Sequence, residues 1–326
     1  MPGFDLLITN LLSPIVLAFA LGAVAGFIRS ELELPEAVIK LLSIYLLFSI
    51  GLVGGNELAK VEFADIANLI AATIVLTIAI PVICFAVLRL GAGFDPANAA
   101  AIAAHYGSVS SATFFTAMTF ATAMGTPAEG TMTAVVALME FAVIISLLIA
   151  RWSMGRENGG IALKDLLLST LRGRGILLLS GGMLIGGMAT QGQWEQIKPF
   201  YGDLFRGFLM LFLLEMGITA ARQIKGFAKV GMFMTGFAIT APLVFGMLGV
   251  TIGWAIGLSL GGAFVLGAVC ASASFIDAPA ACRAALPEAN PGIYLTASLG
   301  ITLPFNLLAG IPIYYNYALW LFAQPS

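Results

Sequence analysis

Two short runs, HYGSVSSATFF at residues 105–115 and CASASFIDAPA at residues 270–280, place small hydroxyl side chains in the middle of long apolar segments. A membrane helix satisfies its own backbone, so irregular chain at depth is tolerated only where it is packed in protein or lines a cavity. Laying Ser108 on Ser272 puts Ser110 on Ser274, so each half of the chain carries Ser-x-Ser at an equivalent place. Two broken helices in matching positions point to the binding site of a secondary transporter. Each second half-helix would begin with unpaired N–H groups and the positive end of its dipole, an arrangement suited to a small, singly charged anion. Ser110, Ser111 and Thr113 add hydroxyl donors at the first break. At the second, Ser272, Ala273 and Ser274 run on to Asp277 and then to Pro279, a residue tolerated in a first helical turn. Any one such hydroxyl is explained by helix-to-helix hydrogen bonding. The pairing of two runs that both contain helix-breaking chemistry is what argues for binding.

Four ionisable residues fall within apolar segments: His105, Glu140, Glu215 and Asp277. A charge at the bilayer centre costs about 2.5–3.5 kcal/mol even on the mildest scale, so each needs a reason. Asp277 can cap a half-helix or offer oxygens to a hard cation. With the hydroxyls of Ser110 and Ser274, and with Glu215, it makes up the candidate metal-ligand set. Asp277 is expected to be the only carboxylate at either break. Glu215, in FLMLFLLEMG, reads equally as protonated, as paired with an arginine, or as a second cation ligand. Glu140, in ALMEFAVII, reads as a protonated partner in an interhelical hydrogen bond. His105, the only histidine, reads as a neutral hydrogen-bonding side chain in preference to a proton shuttle.

The elements that must position these groups follow from composition. Hydrophobic residues make up 60% and charged residues 10% of 326, more apolar surface than a soluble domain can hide. Segments such as 66–88 and 231–253 carry almost no charge over the roughly 20 residues that cross a bilayer core. The chain is therefore read as an all-α polytopic membrane protein. Residues 1–14 carry Asp5 and no Lys or Arg, so the first apolar segment lacks a signal peptide's positive region and is expected to stay as a span. Cys84, Cys270 and Cys282 are odd in number and far apart, which argues against a disulfide framework or zinc site. The net charge of −2 and the absence of a basic cluster offer nothing to nucleic acid. No Walker A, HExxH or Ser-His-Asp pattern suggests an enzyme.

Ten transmembrane helices are expected, near 12–29, 35–54, 64–90, 96–123, 129–151, 165–190, 203–222, 229–253, 258–286 and 292–323, with helices 4 and 9 broken. The polar hinge RWSMGRENGG at 151–160 divides them five and five, giving a first repeat over 1–151, a short cytoplasmic hinge over 152–164 and a second repeat over 165–326. Matching Gly51 to Gly217 gives an offset of 166, and the Ser-x-Ser pairs give 164. An odd number of spans inverts the second copy, which brings the two breaks together near the midplane. With the N-terminus outside, twelve Lys and Arg fall on the inner side and three on the outer, a strong positive-inside signal that places both termini outside.

The chain resembles the sodium-dependent bicarbonate transporters. LLSPIVLAFALG (11–22) with LPEAV (34–38) resembles that family's opening, and IGLVGG (50–55) its second span. YGSVSSATF (106–114) resembles its first break, FRGFLMLFLLEMG (205–217) its seventh span, and RAALPEANPGIY (283–294) the approach to its tenth. The resemblance implies core and gate domains, an elevator-type cycle in a bacterial inner membrane, Na+ as the coupled ion, bicarbonate as substrate, contact with membrane lipid and a homotrimer. It places the anion on Gly107, Ser108, Ser110 and Thr113 from one side and on Ser272 and Ser274 from the other. Members of the family are controlled by a cytoplasmic signalling protein, and residues 151–163 are too short to argue for or against such a partner. Two departures bear on function. Where the family places an Asp directly after the last Ser, this chain has Phe275, with Asp277 two positions on, and Glu140 and Val143 replace the Pro and Asp pattern of the fifth span. The alternatives are a sodium- or proton-coupled carrier of another small anion, such as a short carboxylate, or an anion sensor or channel that does not transport.

Overall fold

The computed structural model describes residues 8, 10–154, 168, 172–223, 227–275 and 278–324, and among them every regular element is helical. In chain order these are α1 (Pro14–Phe27), α2 (Glu36–Leu58), α3 (Phe63–Gly91), α4 (Pro96–Gly107), α5 (Ser111–Ala123), α6 (Met132–Met139) and α7 (Ala142–Met154). There follow α8 (Arg174–Met188), α9 (Gln191–Lys198), α10 (Phe205–Gln223), α11 (Phe227–Ala255), α12 (Leu260–Cys270), α13 (Ala278–Ala285) and α14 (Pro291–Phe322). Six helical runs are long and apolar enough to cross a membrane: α2, α3, α6 with α7, α9 with α10, α11 beyond its kink at Gly231, and α14. Exposed leucine, valine and isoleucine on α1 and α3, such as Leu21, Val24, Ile74 and Val75, face outward, as a lipid-contacting surface requires. The chain is a multi-pass membrane protein.

The starts of several helices are written locally. Ser13, Asp95 and Ser259 each cap a helix, accepting from Val16 N at 3.3 Å, Asn98 N at 2.9 Å and Gly262 N at 3.0 Å. Pro14 and Pro96 sit in first turns, where a missing N–H costs nothing.

Two helix pairs pack through glycine. α1 lies against α10, and α2 against α8. A Cβ built on Gly217 would stand 2.1 Å from Phe19 O and 3.0 Å from the Gly22 carbonyl carbon; one built on Gly51 would stand 2.6 Å from Leu179 O and 2.9 Å from Gly182 Cα. Small residues at such crossings let backbones approach closely where no hydrophobic drive exists between helices. The rest of the bundle centres on α4, α5 and α12. α4 packs on α3, α7 and α13, while α12 packs on α11, α5 and α14.

Of the expected spans, 96–123 is divided into α4 and α5, and 258–286 into α12 and α13, so both breaks are present. Span 165–190 and hinge 152–164 lie partly outside the described residues. Three interruptions were not expected: a turn at Glu140–Phe141 between α6 and α7, and two π-helical stretches, Thr296–Thr302 and Asn306–Gly310, within α14.

Candidate anion site where two helix breaks meet

α4 ends at Gly107 because Ser108 and Ser110 adopt extended backbone, with φ −88° and −94°. Gly107 is pressed between Pro81 of α3 and Ala142 of α7, where a Cβ would meet each at 3.0–3.1 Å. α5 then starts under its own cap, Ser110 Oγ accepting from Thr113 N at 3.3 Å. The second break follows α12, with residues 272–274 in non-helical chain.

The two breaks touch. The Ser110 amide donates to Ser272 Oγ at 2.9 Å, and Ser272 Oγ donates onward to Val269 O at 2.7 Å. The Ser274 amide donates to His105 O at 2.7 Å, closing the junction from the other side. α14 buttresses it. Asn306 Nδ2 donates to Ala271 O at 2.8 Å, and Tyr314 OH donates to Asn306 Oδ1 at 2.9 Å. Thr302 donates to Ala238 O at 2.7 Å and shares a 2.7 Å hydrogen bond with Tyr106 OH. Thr302 and Asn306 arise in the two π-helical stretches of α14, in keeping with the frequent placement of such bulges at functional sites.

Gly107, Ser108, Ser110, Ser111, Thr113, Ser272, Ala273 and Ser274 are all buried at this junction. Thr113 is fully buried, and its hydroxyl has no hydrogen-bond partner among the described residues. A buried hydroxyl left this way costs about 1–3 kcal/mol. His105 Nδ1–H donates to Ala101 O at 2.6 Å, and the ring lies against Tyr294, with ring centroids 4.5 Å apart; its Nε2 is likewise without a partner among the described residues.

Asp277 lies outside the described residues, and the expectation that it alone brings a carboxylate to a break is corrected by Glu140. Ser108 Oγ donates to Glu140 Oε2 at 2.6 Å, and Glu140 is 3% exposed. The reading of Glu140 as an interhelical hydrogen-bond partner foresaw the bond, not its place at the first break. No spacing rule could have found it, since 32 residues and the turn between α6 and α7 separate the two side chains. Glu215 is also buried, but its carboxylate accepts from Leu34 N and Thr219 Oγ1, both at 3.3 Å. Among the described residues no arginine pairs with it. No group of three or more His, Cys, Asp or Glu gathers as a metal cluster among those residues. Among the described residues, a sodium site at the first break would draw on hydroxyls and backbone carbonyls beside the Glu140 carboxylate.

A comparison with curated proteins gives no match. The family model of the Na+-dependent bicarbonate transporter superfamily matches residues 14–319 of the 326. That match takes in both helix breaks and every helix that buttresses them, and the chain belongs to the Na+-dependent bicarbonate transporter superfamily.

Proposed function

We propose that the protein couples sodium influx to bicarbonate uptake, holding the anion at the junction of the two helix breaks by an elevator-type cycle. Family membership supplies sodium and bicarbonate as the transported species. The observation that carries the site is the direct contact of the breaks, Ser110 N to Ser272 Oγ and Ser274 N to His105 O, beside the unpartnered Thr113 hydroxyl. In this reading Gly107, Ser108, Ser110, Ser111, Thr113, Ser272, Ala273 and Ser274 bind the anion. Asp277 and Glu140, with Ser110 and Ser274, supply the cation side, and Glu215 is the remaining metal candidate. Half-helix amides favour an anion and repel sodium, so negative charge nearby is what lets both bind.

The inverted repeat is supported by packing. Exchanging helix 1 with 6 and helix 2 with 7 turns the α1–α10 pair into the α8–α2 pair, and both pairs are glycine seams. We place the repeats at 1–151 and 165–326 with both termini outside the cytoplasm of a bacterial inner membrane, and we assign a gate domain to α1, α2, α8 and α10. A homotrimer and a cytoplasmic regulatory protein come from the resemblance alone, whereas contact with membrane lipid also has the exposed apolar faces of α1 and α3 in its favour.

Moving one negative charge inward costs about 2.3 kcal/mol per 100 mV, which one sodium cancels and a second reverses. The test is uptake of radiolabelled bicarbonate into proteoliposomes under an imposed sodium gradient, with potassium and pH gradients as controls. Accumulation only under sodium is expected, together with counterflow of labelled against unlabelled bicarbonate. Accumulation driven equally by a pH gradient would overturn sodium coupling, and absent counterflow would identify a sensor or channel.

A further inference from the structure

At one end of the glycine-packed pair α1 and α10 a groove of about 490 Å³ opens, lined by Ala25, Gly26, Phe27, Arg29, Ser30, Ala221 and Arg222. Its backbone is unusual. Arg29 has φ +55°, the one positive value outside glycine among the described residues. Ser30 N donates to Ala25 O at 2.9 Å and Arg29 N to Gly26 O at 3.4 Å. This is the helix-ending motif whose left-handed position normally belongs to glycine. A long cation there gains from the helix C-terminus, but that gain does not require the left-handed residue itself to be charged. Arg29 and Arg222 both line the groove, where Gly26 and Ala221 bring the two helices together.

The cleft's surroundings identify an occupant. Val24, Phe27 and Ile28 are exposed at 54%, 58% and 71%, continuing the outward apolar face of α1 from Leu17 and Leu21. A ligand with apolar chains would therefore lie along α1 with its polar end in the groove. Arg29 is in no ion pair among the described residues, whereas Arg222 Nη1 is 3.3 Å from Glu33 Oε1. Glu31 is also exposed close by in sequence. The site thus offers two guanidiniums, suited to bridging a phosphate, and a carboxylate able to face a cation.

We propose that this groove binds the headgroup of a membrane phospholipid carrying a phosphodiester and a primary ammonium, with the phosphate between Arg29 and Arg222 and the ammonium toward Glu33. The lipid bridges the ends of α1 and α10 and so fastens the pair to the bilayer surface.

The test uses delipidated full-length protein in detergent, titrated with dioctanoyl phosphatidylethanolamine, dioctanoyl phosphatidylglycerol or inorganic phosphate while thermal unfolding is followed. Phosphatidylethanolamine should stabilise the protein, phosphatidylglycerol more weakly, and inorganic phosphate not at all. Arg29→Gly should weaken the lipid's apparent affinity about tenfold, the loss of one charge-assisted contact, while the lipid-free melting temperature stays level or rises, because glycine suits the left-handed position. Glu33→Gln should erase the preference between the two lipids. Unchanged lipid affinity in Arg29→Gly overturns the proposal, as does protection by inorganic phosphate equal to that by lipid, which would make the groove a site for a soluble phosphate.

Discussion

The hydroxyl of Thr113 separates binding from scaffolding at the level of a single residue. It is buried without a partner among the described residues, so Thr113→Val keeps the shape and removes only the polar atom. The melting temperature should hold or rise, and the half-saturation concentration for bicarbonate should increase at least tenfold, equivalent to a charged hydrogen bond of about 1.5–3 kcal/mol. Normal affinity in that variant would make the junction purely structural. Glu140 invites the complementary substitution. Glu140→Gln still accepts from Ser108 Oγ but carries no charge, so we expect normal expression and a raised half-saturation for sodium, with Asp277→Asn weakening sodium dependence as well. Sodium titration of initial uptake rates checks both, and unaltered sodium dependence in both variants would move coupling to Glu215 or to backbone carbonyls. The serines were legible in the sequence because hydroxyl clusters inside apolar runs are rare and local. The Ser108–Glu140 contact was not, because it is made by folding alone.

At the level of helices, the glycine seams give the sharpest stability test. A methyl on Gly217 would meet Phe19 O at 2.1 Å, a backbone atom that cannot rotate away, whereas nothing lies within 4 Å of a Cβ on Gly181. Gly217→Ala should therefore cost about 1–3 kcal/mol through overpacking, and Gly181→Ala should gain about 0.5–1 kcal/mol from helix propensity. Thermal unfolding in detergent measures both, and equal stability of the two variants would contradict the packing. Matching Gly51 to Gly217 in the sequence located two residues that do the same work against Leu179–Gly182 and Phe19–Gly22. The breaks between α4 and α5 and between α12 and α13 were equally visible, since Ser-rich runs and proline announce them. The π-helical stretches in α14 and the turn at Glu140–Phe141 had no such signal. They arise from contacts such as Asn306 with Ala271 O, which no local pattern encodes.

For the whole molecule, the elevator reading requires one group of helices to slide past another, and a seam between them is present. α2 and α10 contribute Ser49, Ile50 and Leu209 to a cavity of about 230 Å³ whose opposite wall is Phe114, Phe115 and Met118 of α5. Charge bias and span count led to the expectation of two halves, but nothing in the sequence says which helices would stay and which would move, because that depends on which seams are filled. The glycine-packed pairs are filled by backbone contact, and this seam is bridged by side chains, with the Phe115 and Phe205 rings 3.9 Å apart at their centroids. Joining those positions should stop the slide. In the double variant Phe115→Cys with Phe205→Cys, a short, reducible bifunctional thiol reagent should abolish bicarbonate uptake, and reduction should restore it. Each single variant treated alike should keep most of its activity. The native Cys84, Cys270 and Cys282 are buried and should not compete. Full uptake by the cross-linked double variant would mean that α5 and α10 never part during transport, and alternating access would then have to come from motion within the junction of the two breaks.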